Sequence, residues 1–295
     1  MDAIIPLLVS ALGLAGIYFM LAVGLSLIFG LMHVLNLAHG AIFALGAYVA
    51  VWIMQKLTVL SPTPRLIVAF VVAAATGLVV GAFIERVMLR STYGQRNSQM
   101  IITLGLAFAI TAFLGGWLGH DPLQLTLPGW YSDVTVLGES RLVNGRIFIA
   151  LAAGGVFLLV LWFIRRSSHG LIIRAGVENR SMVQALGIEV SRSFTIVFAL
   201  GSALAGVGGV LAASFYGTVT PELGTRQLIF AFIVIIIGGL GTVEGTALAA
   251  VVVAVMQQFL NFYGPSGAGD IVTILLLAVV VLVRPQGLLG KKALA

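Results

Sequence analysis

The chain is expected to be an all-α membrane protein, a polytopic bundle of about 8–10 transmembrane helices with some of them broken. Three observations predict it. First, 60% of the 295 residues are hydrophobic and 9% are charged, where a soluble domain carries about 25% charged residues. At about 20 apolar residues per crossing, this content is enough for roughly nine crossings. Second, the apolar runs are continuous, whereas a membrane β-barrel would alternate in polarity over segments of about ten residues. Third, glycine accounts for 36 residues, above the usual share of about 7%, and small residues let helices approach closely in lipid.

Apolar runs between charges, Gly or Pro place spans at 4–29, 40–54, 66–88, 99–119, 147–164, 194–213, 228–240, 246–262 and 268–283. The first meets no Lys or Arg before Lys56, so it lacks the charged start of a secretory signal and reads as a retained span. The second is short and follows a polar insertion at 30–40 that has no Lys or Arg. The third closes at Glu85 and Arg86, which read as an interfacial pair. The fourth ends at Gly119, before an excursion at 120–146 that reads as an external loop packed on the membrane surface. The fifth ends at Arg165-Arg166, and the sixth begins after Arg192. The seventh and eighth flank the glycine-rich turn Gly238-Gly239-Leu240-Gly241-Thr242-Val243-Glu244-Gly245, and the ninth stops at Arg284. No low-complexity linker and no soluble domain interrupts the series, so residues 1–295 read as one transmembrane domain.

Nine alternating spans sort the 16 Lys and Arg residues into eleven on one side and five on the other. By the positive-inside rule the eleven are cytoplasmic, which puts the C-terminus inside. A net charge of +6 therefore reports orientation, and no nucleic-acid partner is expected. The segment at 167–193 is too charged to span yet carries Ile172, Ile173, Met182, Leu186 and Ile188. Met182, Ala185 and Leu186 would share one helical face by their spacing, so this segment reads as a short cytoplasmic helix that docks onto a partner.

Polar, interrupted helices in both halves suggest a transport path, because irregular backbone at membrane depth is tolerated only against protein or a water-filled cavity. The candidates for this path are Asn36, His39, Gly40, Gly239, Gly241 and Glu244. Asn36 sits where a helix cap belongs. Either it is a cap alone, or the helix it opens directs the positive end of its dipole at a polar ligand, with Asn36 or His39 completing the site. Glu244 reads as a helix N-terminal acid favoured by the dipole, or as a plain loop charge. The pairs Gly77/Gly81, Gly115/Gly119 and Gly241/Gly245 have the spacing of close helix crossings. Gln257, Gln258 and Asn261 read as interfacial polar residues.

Catalytic chemistry finds little support. There is no cysteine, and the spacing of His33 and His39 suits no metal-binding pattern, so no metal or cofactor is expected on this chain. The phosphate-binding pattern fails at Gly290-Lys291, where Lys292 follows and Pro285 stands in place of the first glycine. No nucleophile elbow stands out. A membrane metalloenzyme built on His33, His39 and His120 would require bound metal. A stand-alone secondary transporter or channel would require a buried ion-coupling group within a span.

Several short motifs then carry a resemblance. They are Asn36-Leu37-Ala38-His39-Gly40, Ile84-Glu85-Arg86-Val87 with Arg90, Arg174-Ala175, Asn179, Leu186-Gly187-Ile188, Phe215-Tyr216-Gly217, Gly238-Gly239-Leu240-Gly241 and Pro285-Gln286-Gly287-Leu288. In this order and spacing the chain resembles the branched-chain amino-acid ABC transporter permease family, the LivH-type membrane subunit, nearly end to end. The resemblance implies that the whole chain is a permease domain and not an enzyme. It also implies that the segment matching 170–188 docks into a groove on an ATPase. Arg174, Glu178, Asn179, Arg180, Ala185, Leu186 and Gly187 are the expected coupling residues, although relatives often have Ala-Ala where this chain has Met182-Val183. Further implied are a second related permease, two ATPase subunits carrying ATP and Mg, an extracytoplasmic substrate-binding protein, and a place in the bacterial inner membrane. Branched-chain amino acids are the expected substrate; relatives also serve urea, short amides or aromatic acids.

Overall fold

The structure, a computed structural model, describes residues 4–32, 35–138, 140–178, 180–185 and 190–290. The chain opens with α1 (Ile4–Met32), α2 (Ala38–Lys56) and α3 (Pro62–Phe83), which continues through a π-helical turn (Ile84–Leu89) and a 3-10 turn (Arg90–Thr92). Next come α4 (Arg96–Leu118), β1 (Leu123–Gln124), α5 (Gly129–Ser132), β2 (Val134–Leu137), β3 (Ser140–Val143) and α6 (Asn144–Arg166). They are followed by α7 (Ser168–Glu178), α8 (Arg180–Ala185), α9 (Val190–Tyr216), β4 (Thr218–Val219), α10 (Leu223–Gly238), α11 (Val243–Tyr263) and α12 (Ala268–Val283). Among the described residues seven helices are long and apolar enough to cross a membrane, and α10 and α12 are shorter apolar helices. Each of the nine expected spans falls on one of these helices.

The differences lie at the ends. Proline at the first helical position starts α3 at Pro62, before the first long apolar run, because a missing N–H costs nothing there. The charged segment expected as one helix is two, α7 and α8. Ser167 starts α7 by accepting the Gly170 N–H on its hydroxyl at 2.8 Å. The excursion at 120–146 is tied to the bundle rather than merely lying on it. β1 pairs antiparallel with β4, Leu123 facing Val219, and β2 with β3 forms a hairpin. Within it Trp130 Nε1 donates to Thr63 Oγ1 at 3.0 Å. The Tyr131 hydroxyl donates to the Ser214 carbonyl at 2.9 Å, and burial pushes this phenol up to about 12, against the lowering pull of Arg146.

A helix that is apolar all round is an interior helix, and α1 fits that rule: it packs against α6, α9, α10 and α11. Together with α2 and α9 it forms the buried centre, while α3, α4 and α6 leave most of their apolar surface outward, as lipid-facing helices do. What brings the central helices together is missing side chain. A Cβ on Gly46 of α2 would lie 2.2 Å from the Gly206 carbonyl oxygen of α9, and one on Gly209 would lie 2.0 Å from that of Phe43. On α1, a Cβ at Gly24 would lie 2.6 Å from the Gly201 carbonyl oxygen. Gly77 and Gly81 both meet Ser202 of α9, as their spacing suggested. The other two spaced pairs behave differently. Gly115 makes room for the His120 ring; Gly241 sits in a turn with φ of 80°, while Gly245 does lie at a close crossing, where a Cβ would be 2.1 Å from the Gly238 carbonyl oxygen of α10.

Gly209→Val should therefore lower the yield of folded protein. Overpacking of this kind costs about 1–3 kcal/mol where the backbone can yield, and here the obstacle is backbone itself. Gly116→Ala, whose Cβ would meet nothing within 4 Å, should leave the yield unchanged. Fluorescence-detected size exclusion of tagged variants reads both; equal monodisperse peaks for the two would contradict this account of the packing.

Candidate translocation and coupling sites

The polar insertion before α2 folds into a turn at the centre of the bundle. Asn36 Oδ1 accepts the Ala38 N–H at 3.1 Å and its backbone carbonyl accepts the His39 N–H at 3.3 Å. Asn36 thus closes an Asx turn one residue ahead of the helix boundary at Leu37. Asn36 and His39 are both fully buried; Asn36 Nδ2 lacks a hydrogen-bond partner, and the His39 ring has at most a loose contact with the Leu21 backbone. The imidazole lies where a Cβ on Gly24 would touch it, with the α1–α9 crossing alongside. Gly40, the next residue, brings α2 against the start of α10, where a Cβ would lie 2.5 Å from the Gly224 carbonyl oxygen. Each buried polar atom without a partner costs about 1–3 kcal/mol, so this cluster is a place of stored polar demand at the positive end of a helix. His33 lies outside the described residues.

The glycine-rich turn has a different character. Gly239 and Gly241 have φ of 102° and 80°, the left-handed region that glycine enters without cost. The segment after α12 folds back onto them: Leu288 N donates to the Ile237 carbonyl at 2.7 Å and Leu289 N to that of Gly238 at 3.1 Å. These are the last carbonyls of α10, which have no partner within their own helix. Two of the short motifs, Gly238-Gly239-Leu240-Gly241 and Pro285-Gln286-Gly287-Leu288, thus form one capping structure. Ser26 Oγ of α1 accepts the Gly241 N–H at 3.1 Å. Glu244 occupies the first turn of α11 and pairs with Arg165 at 3.0 Å, both side chains about half exposed. It stands at the edge of a groove of about 420 Å³ whose other lining residues, among them Leu12, Phe19, Ala153 and Phe157, are apolar. Gly241 thus meets α1 at Ser26, two residues from the Gly24 that abuts His39, while Glu244 faces Arg165 and the apolar groove.

Glu85 is fully buried in the π-helical turn, while its neighbour Arg86 is exposed, as adjacent residues on a helix do not share a face. The expected interfacial pair is thus replaced by a buried junction. The Glu85 carboxylate accepts the Tyr93 hydroxyl on one oxygen and the Thr195 hydroxyl on the other. Tyr93 precedes α4, and Thr195 lies in the second turn of α9. Phe194 packs edge-on to Tyr93 at 5.1 Å.

The segment between α6 and α9 projects from this same end. Leu171, Arg174, Met182 and Ala185 are exposed and Val183 is buried. Glu178 and Arg180 fall within α7 and α8, and Asn179, Leu186 and Gly187 lie outside the described residues. At the opposite end, Arg146, Gln227, Gln257 and Asp270 enter a polar network with Tyr18 and Tyr216. Of these, Gln257 reads from the sequence as an interfacial residue, Arg146 as one of the five charges on the less basic side and Tyr216 as part of a short motif, and nothing in the sequence joins them.

Comparison with known proteins is consistent with this picture. Residues 7–283 match the family described as branched-chain amino acid transport system, permease component. The chain is 31% identical to the high-affinity branched-chain amino acid transport system permease protein LivH of Escherichia coli K12, over 94% of this chain and 92% of that protein. It is 30% identical to the corresponding protein BraD of Pseudomonas aeruginosa, over 96% and 95%. It is 28% identical to LivM of Salmonella typhimurium, over 92% and 68%. No solved structure matches the chain. The chain belongs to the family of permease components of branched-chain amino acid transport systems, and is as such a multi-pass transport subunit rather than an enzyme.

Proposed function

We propose that this chain is one membrane half of an ATP-binding-cassette importer of the bacterial inner membrane that moves branched-chain amino acids inward. A second, related permease would complete the pathway, two ATPase subunits would bind ATP and Mg, and an extracytoplasmic binding protein would deliver the substrate. The end carrying α7, α8 and most of the arginines is cytoplasmic on this reading, by the positive-inside rule. The names of the relatives supply the substrate class, each being a permease protein of branched-chain amino acid transport.

The observation that carries the reading is the buried, unsatisfied start of α2. A carboxylate passing this point meets the N-terminal N–H groups of a helix and the free amide of Asn36, while His39 offers ring nitrogens on the facing side. The start of α2 lies against α10 through Gly40 and Gly224, so a rocking of these helices would open or close the passage. Energy enters at the other site. Arg174, Glu178, Asn179, Arg180, Ala185, Leu186 and Gly187 form the coupling loop, and the exposed apolar and cationic mixture of Leu171, Arg174 and Met182 suits a groove on an ATPase surface.

Two variants test the two sites in proteoliposomes holding the complex. His39→Ala should leave assembly unchanged and lower leucine uptake by about tenfold or more, the worth of one strong polar contact; unaltered uptake would remove His39 from the path. Arg174→Ala should leave basal ATP hydrolysis in place and lower its stimulation by substrate several-fold. Full stimulation in this variant would refute the loop as the coupling element. Excess urea that competes with leucine uptake would point to the amide-transporting relatives instead.

A further inference from the structure

The end of the bundle opposite the coupling segment carries polar groups that the reading above does not use. Arg146, in the first turn of α6, lies with its guanidinium carbon 3.5 Å from the centroid of the Phe215 ring. Its Nη1 is buried without a hydrogen-bond partner, and no ion pair engages it among the described residues. The next ring, Tyr216, packs edge-on to Phe215 at 5.2 Å and is 40% exposed. Gln227 of α10 donates its Nε2 to the Tyr216 hydroxyl at 3.2 Å, and the other end of that amide, Oε1, is buried without a donor.

A second chain of contacts approaches the same phenol. The Tyr18 hydroxyl donates to Gln257 Oε1 at 2.6 Å, and Gln257 Nε2 donates to the carboxylate of Asp270, an exposed residue in the first turn of α12. Both Asp270 and Arg146 act electrostatically on Tyr216. One half-exposed aromatic ring is therefore bordered by a guanidinium with an unpaired buried Nη1, by an amide oxygen with no donor, and by a solvent-facing carboxylate. A guanidinium stacked by one face on an aromatic ring keeps its edge N–H groups for a planar anion, and a half-buried cation without a counter-charge is left uncompensated until an anion arrives.

We propose that this outer mouth docks the zwitterionic head of a free amino acid: Arg146 holds the α-carboxylate, Gln227 Oε1 and Asp270 hold the α-ammonium, and the Tyr216 ring flanks the side chain. The inference rests on the reading of the chain as an amino-acid importer and adds a reception site distinct from the Asn36–His39 turn. A zwitterion supplies both missing partners and also matches the two charges, whereas a neutral amide supplies the partners without the charges. A simple acid leaves the acceptor side empty, and a simple amine leaves the arginine empty.

The test is binding of radiolabelled L-leucine to the permease–ATPase complex purified without its external binding protein, in competition with isocaproate, which lacks the ammonium, and isoamylamine, which lacks the carboxylate. The wild type should hold leucine about tenfold or more tighter than either analogue, as expected when one charged contact is missing. Arg146→Gln should erase the preference for leucine over isoamylamine, and Arg146→Lys should restore part of it. Gln227→Glu should keep leucine and reject isocaproate more strongly. A complex that imports leucine but keeps its full preference in Arg146→Gln would overturn the dock and leave the importer standing. A complex that neither binds nor imports leucine would overturn both. If Arg146→Gln fails to assemble, the same ratios in Arg146→Lys and Gln227→Glu decide, and unchanged ratios in both would overturn the dock.

Discussion

Direct backbone contact along α9 is the constraint on which the rest of this bundle depends. In water, apolar burial would drive helices together, but lipid tails are as apolar as leucine and supply no such force. Cohesion must come from close van der Waals contact, and contact is closest where no side chain intervenes. Gly201, Gly206 and Gly209 of α9 meet Gly24 of α1, Ala73 of α3 and Phe43 of α2 through backbone atoms, and Gly46 meets Gly206 in turn. One helix thus sets the positions of three others. The peripheral helices, facing lipid, need only be apolar.

Fixing the helices this closely leaves their ends inside the protein, where every backbone group needs a partner. The structure meets that demand with specific devices. Asn36 closes the entry to α2, the segment after α12 caps the last carbonyls of α10, and Ser167 serves the start of α7. Against that background the unsatisfied atoms stand out. They gather at two places, the start of α2 and the outer mouth around Tyr216, together with single atoms at Tyr48, Arg65 and Ser202. Buried polar atoms are paired in the great majority of cases, and these clusters of unpaired ones are what the proposed solute sites rest on.

Nine apolar runs could be read directly because length and hydropathy alone decide whether a helix crosses a membrane, and those properties are local. Asn36 was legible as a residue of the helix start, but it forms an Asx turn one residue before the N-cap position, which Leu37 holds without a side-chain cap bond. What could not be read were properties of pairs distant in sequence. Glu85 looks like half of an interfacial ion pair until Thr195, 110 positions away, supplies its partner. Gly241 and Gly245 have the spacing of a crossing stripe, but only Gly245 meets a helix, at Gly238 of α10, while Gly241 belongs to the turn beyond the end of α10 that the tail at Leu288 and Leu289 caps. Arg146 counts as one external charge among five until Phe215 folds beneath it. Gln257 resembles its neighbours Gln258 and Asn261, and only Tyr18 on α1 and Asp270 on α12 distinguish it.

The same long helix joins the two ends of the molecule. α9 runs for 27 residues, about 40 Å at the helical rise, from just beyond the α7–α8 segment to Tyr216 at the outer mouth. Near its start, Thr195 is held by Glu85, whose π-helical turn ends the α3 helix and whose other oxygen holds Tyr93 ahead of α4. A force applied at α7 and α8 would therefore reach α3, α4 and α9 through one buried carboxylate. Because α9 touches α1, α2 and α3 backbone to backbone, it has no soft layer of side chains in which to lose that motion. A displacement of its α7–α8 end must be answered at Gly24 and Gly46, beside His39 and the α2 core, or carried to Phe215 and Tyr216. The glycines that make this bundle cohere in lipid thus also leave α9 little room to move independently of α1, α2 and α3.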